Sequence, residues 1–194
     1  MAKALIVIDP AGNAHNPGRK LSDSFERGAT MQCAELLKKE LEQSYDIQVV
    51  LTHTIGNSST QEQNAQIANR LAANIYLHIS FFHETEVKPN LFLYTFSYDN
   101  DFPIKKDPFL LCPYNQAHCL SLSTTAHYAQ AFFTILTHSP YTVHPVIKIP
   151  YMPLKGITVP AFGIEIGLHT TRDWRECVSI LAQSIGTLCQ EVAL

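Results

Sequence analysis

Two glutamates lie at positions where the presence of an acidic side chain calls for a physical explanation. Glu165 lies within the apolar run 162–167, which is typical of a buried strand and where an unpaired carboxylate is costly. A glutamate there needs a metal, a cation or hydrogen-bond donors, or must keep its proton. We therefore predict a site role for Glu165. Glu26 opens a helical pattern, where the helix macrodipole already favours a carboxylate, so its position alone has a simple structural explanation.

Histidines and cysteines offer further ligand atoms. The chain has nine histidines and five cysteines. His15 lies in the loop after the first predicted strand, and His78 and His83 lie at the end of the third. Cys112 and Cys119 flank a segment that also holds His118, which is a combination that zinc accepts. No second ligand pair accompanies them in the sequence, so no metal site is assigned there. The odd cysteine count also argues against a disulfide scaffold.

The elements that must position these residues alternate along the chain. Apolar runs and helical periodicity predict an α/β domain with an open, mostly parallel, twisted sheet of about six strands and helices on both faces. Predicted strands cover 4–8, 47–52, 74–80, 91–96, 143–149 and 161–166, and predicted helices cover 24–42, 59–73, 121–137 and 173–192. The whole chain, 1–194, reads as a single domain, with an irregular insertion at about 98–120. Functional groups in such sheets gather at the carboxyl ends of the strands.

Two capping boxes are predicted at helix starts. Ser59 with Glu62 would begin the second helix, and Asp173 with Glu176 the last, because each pair has the three-residue spacing of that motif.

Charge and composition exclude several classes of protein. The net charge is −3 and no basic stripe is present, so we expect no nucleic-acid partner. No apolar run is long enough to cross a bilayer, and no membrane span is expected. The first strand follows directly on residues 1–3, which leaves no room for a signal peptide. We expect a cytoplasmic protein if this start is native, and a cell-envelope protein if a leader was removed. Oligomeric state is not encoded in any pattern that we recognise.

Several runs resemble, in the same order, the motifs of one known family. Residues 6–10, Ile-Val-Ile-Asp-Pro, are similar to a first strand that ends Val-Ile-Asp-Pro-Gly-His-Gly. Residues 50–52 are similar to Val-Leu-Thr-Arg, and 62–69 to a helix with Arg and Ala-Asn positions. Residues 74–80 are similar to Asp-Leu-Phe-Ile-Ser-Ile-His, and 159–167 to Pro-Ala-Val-Leu-Val-Glu-Xaa-Gly-Phe. These are motifs of the zinc-dependent N-acetylmuramoyl-L-alanine amidases of the amidase 3 type.

The resemblance implies a site that this chain matches only in part. The family's zinc ligands, two histidines and a glutamate, fall on Gly12, Ser80 and Glu26, and its catalytic glutamate falls on Glu165. Gly12 has no side chain, and the Ser80 hydroxyl is a poor ligand. A catalytic zinc needs about three protein ligands. We therefore expect a degenerate amidase-like protein with no bound cofactor, in which Gly12 and Ser80 are lost ligand positions.

Displaced histidines could repair the zinc site, and this is the alternative expectation. His15, His78 and His83 are the candidates, with Glu26 as the shared ligand. His78 lies one pleat from Ser80, a step of roughly 6.5 Å, whereas zinc–nitrogen distances tolerate only about 0.2 Å of error. An active, zinc-dependent amidase that hydrolyses the muramoyl-L-alanine amide would result.

Expectations about partners follow from the same resemblance. The first is that the protein binds peptidoglycan fragments or muropeptides, or regulates an active amidase. Asn13 and Phe82 are the candidate substrate-binding residues. A further alternative is an interaction protein unrelated to glycan, with the insertion at about 98–120 as its contact surface.

Overall fold

A twisted seven-stranded sheet forms the centre of the computed structural model, which describes residues 3–105, 112–192 and 194. The predicted insertion at about 98–120 therefore lies partly outside the described residues. The strand order is β2-β1-β3-β7-β4-β5, with β6 beside β4. Only the β4–β7 pair is antiparallel among the described strands. The strands are β1 (Ala4–Pro10), β2 (Ile47–Leu51), β3 (Ile75–His83), β4 (Asn90–Phe96), β5 (Thr142–Val143), β6 (Ile147–Ile149) and β7 (Ala161–Leu168).

This sheet confirms the predicted α/β fold and its mostly parallel pairing. The one predicted strand at 143–149 is wrong, because the structure has two short strands, β5 and β6, with Pro145 between them. A proline lacks the backbone N–H that a continuous ladder requires. Both short strands pair with β4.

Four helices cover the two faces of the sheet. They are α1 (Glu26–Ser44), α2 (Gln61–Arg70), α3 (Leu122–Leu136) and α4 (Trp174–Glu191). The larger core packs α1, α3 and α4 against one face, and a smaller core packs α2 and residues near Leu154 against the other. Among the residues described, no helix has the length and apolar character needed to cross a bilayer.

Both predicted capping boxes are wrong, because the structure forms each box from a different pair of residues nearby. At the start of α2 the cap is Thr60, whose hydroxyl accepts the Gln63 N–H while the Gln63 amide oxygen accepts the Thr60 N–H. Near α4 the box joins Thr170 to Asp173 and begins a short 3-10 turn instead. Each region contains more than one pair of capping-type residues with the same three-residue spacing. The path of the backbone into the helix decides which pair forms the box.

The turn from β3 to β4 is held by a single carboxylate. Glu84 is buried, and its two oxygens accept the backbone N–H groups of Thr85, Glu86 and Asn90 and the Asn90 side-chain amide, at 2.8–3.2 Å. Burial acts to raise the pKa of Glu84, but these hydrogen bonds outweigh it and lower the pKa to about 2. The ionised form is therefore the one that stabilises the fold.

We predict that Glu84→Gln destabilises the protein by about 2 kcal/mol at pH 7, since an amide cannot accept all of these hydrogen bonds. Because the pKa of Glu84 is lowered in the folded state, the wild-type advantage is present above about pH 4.5 and is lost as the pH falls toward 2. Urea unfolding of both proteins across this pH range measures it. The exposed neighbour provides the control: Glu86→Gln should change stability by less than about 0.5 kcal/mol. A difference that does not shrink on acidification would contradict the prediction.

Candidate functional site

The carboxyl ends of β1, β3 and β7 bring the polar residues of three strands to one edge of the sheet. Asp9 pairs with His78 across β1 and β3, and Ser80 pairs with Glu165 across β3 and β7. Side chains two residues apart on a strand share a face, so His78 and Ser80 point to the same side. All four side chains are buried in otherwise apolar strands.

Glu26 is the first residue of α1, and each oxygen of its carboxylate accepts a backbone N–H. Its Oε1 accepts the Phe81 N–H and its Oε2 accepts the Arg19 N–H, both at 2.8 Å. A side chain at Gly18 would meet this carboxylate at 2.7 Å, and the φ of Gly18 is +74°, so the loop before α1 can pass over Glu26 only with glycine at this position.

Glu165 obtains the partner that its buried position requires from the same loop. Arg19 Nη2 donates to Glu165 Oε1 at 2.6 Å. The Tyr94 hydroxyl donates to Oε2 at 3.2 Å and the Tyr151 hydroxyl to Oε1 at 3.3 Å. Burial and the charge of Glu165 raise the pKa of Tyr94 to about 12 and raise that of Tyr151 as well, so both phenols remain donors. Arg19 thus contacts both glutamates, one through its backbone and one through its guanidinium.

A buried carboxylate–imidazole pair lies beside this group. Asp9 Oδ2 accepts from His78 Nδ1 at 2.7 Å, while Oδ1 accepts from Thr52 Oγ1 and Asn64 Nδ2 at 2.7 and 2.9 Å. Burial acts to raise the pKa of Asp9, but the bond and charge of His78 and the bond from Thr52 lower it below its usual value. Asp9 is therefore ionised and fixes His78 with the Nδ1 proton toward the carboxylate.

A cleft of about 590 Å³ lies over these strand ends. Its lining includes Arg19, Glu26, His78, Ser80 and Glu165, together with the segment 149–153, which contains Tyr151. The Tyr151 ring stacks on Tyr94 at 4.7 Å between centroids and meets His78 edge-on. The cleft therefore combines charged donors with aromatic surface.

The other predicted site residues lie outside this cleft. His15 and His83 are exposed, and neither forms part of the cleft lining. The side-chain oxygen of Asn13 accepts hydrogen bonds from the backbone N–H groups of His15 and Asn16. Asn13 lines a neighbouring cleft of about 410 Å³. Phe82 is half-buried and packs against Phe92, with ring centroids 5.9 Å apart.

The structure defines the surroundings of Gly12 and Ser80, the two positions on which the motif comparison places the family's histidines. Gly12 has a φ of +80°, and a Cβ there would lie 2.7 Å from the Arg27 Cβ. The Ser80 hydroxyl donates to the Ile164 carbonyl at 3.2 Å. A side chain at position 12 would therefore require the start of α1 to shift.

Besides Glu165, which is paired with Arg19, the cleft has two side chains of the types that zinc takes, Glu26 and His78, whereas a catalytic zinc has about three protein ligands. Both oxygens of Glu26 accept an N–H donor, and Asp9 holds His78 Nδ1, which leaves Nε2 as the nitrogen that a metal could bind. Within the described ranges, ligand atoms of three or more His, Cys, Asp or Glu residues converge elsewhere, at Asp101, His118 and Cys119. Arg19 instead supplies the positive charge beside the glutamates.

Sequence reasoning missed Arg19, Tyr94 and Tyr151. The apolar setting of Glu165 indicated that some cation or donor must lie nearby, but three different loops and strands supply it. Arg19 is 146 residues away from Glu165 along the chain. Only the fold identifies these partners.

A model of the amidase 3 family, N-acetylmuramoyl-L-alanine amidase, matches residues 6–179. The chain belongs to this family. No curated protein gives a significant match. The amidase resemblance seen in the motifs is therefore confirmed as family membership.

Solved amidase structures share the fold of this family member. The catalytic domain of CwlV, an N-acetylmuramoyl-L-alanine amidase from Bacillus (Paenibacillus) polymyxa, is 17% identical with a TM-score of 0.69, and 98% of each chain is covered. An amidase from Clostridium difficile 630 is 18% identical with a TM-score of 0.69, covering 98% of this chain and 97% of the other. One from Mycobacterium smegmatis is 11% identical with a TM-score of 0.75, and 98% of each chain is covered.

Relative to the amidase motif, the end of β3 has its two polar residues in reverse order. The family strand ends Ser-Ile-His, and this chain has His78-Ile79-Ser80. The imidazole therefore sits one pleat deeper in the sheet, where Asp9 binds it.

We predict that Asp9→Asn destabilises the protein by about 3 kcal/mol, because the amide would place a donor among three donors and leave a buried polar network unsatisfied. Urea unfolding at pH 7 measures the change. Asp46→Asn is the matched control, since Asp46 forms an exposed ion pair with Lys3 that contributes less than about 1 kcal/mol. Equal effects of the two substitutions would contradict the role given to the buried pair.

Proposed function

We propose that this amidase-family protein binds peptidoglycan fragments in the cleft without zinc-dependent hydrolysis. One observation carries the proposal: Arg19 satisfies both glutamates, by its backbone N–H at Glu26 and its guanidinium at Glu165. In this proposal Glu165, the counterpart of the family's catalytic glutamate, anchors a binding arginine instead of activating water. A metal-bound water is what would supply a nucleophile near neutral pH, and Glu26 and His78 alone fall short of the roughly three protein ligands that a catalytic zinc takes.

The chemistry of the cleft supports a ligand rich in acceptors. The Arg19 side chain is 49% exposed, and among the described residues Nη2 alone of its nitrogens donates to a protein acceptor. The remaining guanidinium N–H groups are directed to carboxylates or amide carbonyls of a bound molecule. Muropeptides carry both groups. The Tyr151 ring lines the cleft, is stacked on Tyr94, and offers an apolar surface for the sugar or peptide stem.

Binding without turnover is the first test. We expect calorimetry to detect binding of a muramoyl-peptide, unchanged by a chelator, and mass spectrometry to show the muramoyl-L-alanine amide intact after long incubation. Arg19→Gln should weaken binding at least about ten-fold, or ~1.4 kcal/mol, and Arg19→Lys should weaken it less, because the charge stays while the planar fork is lost.

Arg70→Gln removes the same charge from an exposed position outside the cleft and should leave binding unchanged. Circular dichroism establishes that each variant is folded. Release of the peptide, stimulated by zinc and abolished by Glu165→Gln, would replace this proposal with the active amidase. Absence of binding to any muropeptide would favour a protein whose partner is unrelated to glycan.

The metal content provides a second test. We predict that Glu26→Gln leaves the zinc content of the purified protein unchanged, because the carboxylate of Glu26 serves backbone donors. Elemental analysis of both proteins, purified side by side without chelator, measures this. Zinc present in the wild type and lost in Glu26→Gln would place a metal in the cleft and overturn the proposal.

A further inference from the structure

Three ligand-type side chains converge in a second place, near the start of α3. Asp101 follows β4, and His118 and Cys119 lie in a 3-10 turn, Tyr114–Leu120, just before α3. Their ligand atoms all lie within 4.8 Å of one another. Two of them were visible in the sequence as a histidine beside a cysteine without a second ligand pair, and the fold adds Asp101.

The spacing of these atoms matches a tetrahedral metal site at two of its edges. Cys119 Sγ lies 3.5 Å from His118 Nε2 and 3.7 Å from Asp101 Oδ1. With a zinc–sulfur bond of about 2.3 Å and zinc–nitrogen or zinc–oxygen bonds of about 2.0–2.1 Å, a tetrahedron has sulfur-to-ligand edges of roughly 3.5 Å. The third edge, between His118 Nε2 and Asp101 Oδ2, is a hydrogen bond of 2.5 Å.

The surroundings bury these side chains. His118 and Cys119 are buried, and the side chain of Asp101 is 10% exposed. The Phe96 ring packs edge-on against the His118 ring at 4.7 Å. His118 Nδ1 has no partner among the described residues, so this nitrogen can carry the ring proton while Nε2 binds a metal.

We propose that Asp101, His118 and Cys119 bind a zinc ion at a site separate from the cleft. Thiolate, imidazole and carboxylate together are a ligand set that suits zinc. A zinc with three protein ligands keeps its fourth position for water.

Metal binding requires a small and definable rearrangement. The proton on His118 Nε2 moves to Nδ1, which gives the neutral tautomer that presents Nε2 to the metal, and the carboxylate must either turn to present Oδ1 or move by roughly 1 Å to open that edge. The thiol proton of Cys119 passes to solvent as the thiolate binds, so zinc uptake releases a proton. The bound ion would tie the chain after β4 to the start of α3.

Cobalt titration of the full chain under reducing conditions tests this site directly. We expect a thiolate-to-cobalt charge-transfer absorption at one equivalent, displaced by zinc, and a zinc-dependent rise in melting temperature. Cys119→Ser should abolish the absorption and lower zinc affinity by more than about 100-fold, beyond the loss typical of an outer-shell substitution. Asp101→Asn should lower zinc affinity by at least about ten-fold.

Cys189→Ser, in α4, is the matched control and should leave the titration unchanged. A folded wild-type protein without the charge-transfer absorption would overturn the proposal, and so would an absorption that survives Cys119→Ser. Glu26→Gln separates this inference from the function proposed for the cleft. Cobalt binding lost in Cys119→Ser and kept in Glu26→Gln supports the new site, whereas the reverse pattern contradicts both proposals.

Discussion

Two buried carboxylates set the constraint on which the arrangement of the cleft depends. Glu26 and Glu165 are removed from water at the edge of a parallel sheet, and each requires hydrogen-bond donors or a cation there. The loop between β1 and α1 meets both requirements by passing close over Glu26 and directing Arg19 across to Glu165. The glycine at 18 makes the close approach feasible, and the tyrosines of β4 and the 149–153 segment complete the shell around Glu165.

Much of the fold could be predicted from the sequence because its cause is local. The continuous apolar run of β1 and the helical periodicity of α1 are properties of consecutive residues, and both elements lie where the patterns placed them, to within two residues at each end. The local sequence determines the choice of the helix-capping residue less strictly. Ser59 and Thr60 are adjacent residues of the same type, and the choice between them depends on the backbone path rather than on composition.

Prediction of the site was limited by long-range pairing. The burial of Glu165 and its need for a partner follow from its own strand, yet the partner comes from a loop near the other end of the chain. Asp9 illustrates the same limit. It directly follows the predicted first strand, 4–8, but its bond to His78 depends on the register between β1 and β3. Asp101 joins His118 and Cys119 for the same reason, since a turn of the backbone brings together residues 17 positions apart.

The geometry at Gly12 couples the loop after β1 to the start of α1. A Cβ at position 12 would lie 2.7 Å from the Arg27 Cβ. The backbone there also has the positive φ that non-glycine residues adopt only at a cost. An imidazole at position 12 would thus require a coordinated shift of helix and loop. Redesign of this side of the cleft must therefore treat the first turn of α1 and the glycine loop as one unit, because neither can change its shape alone.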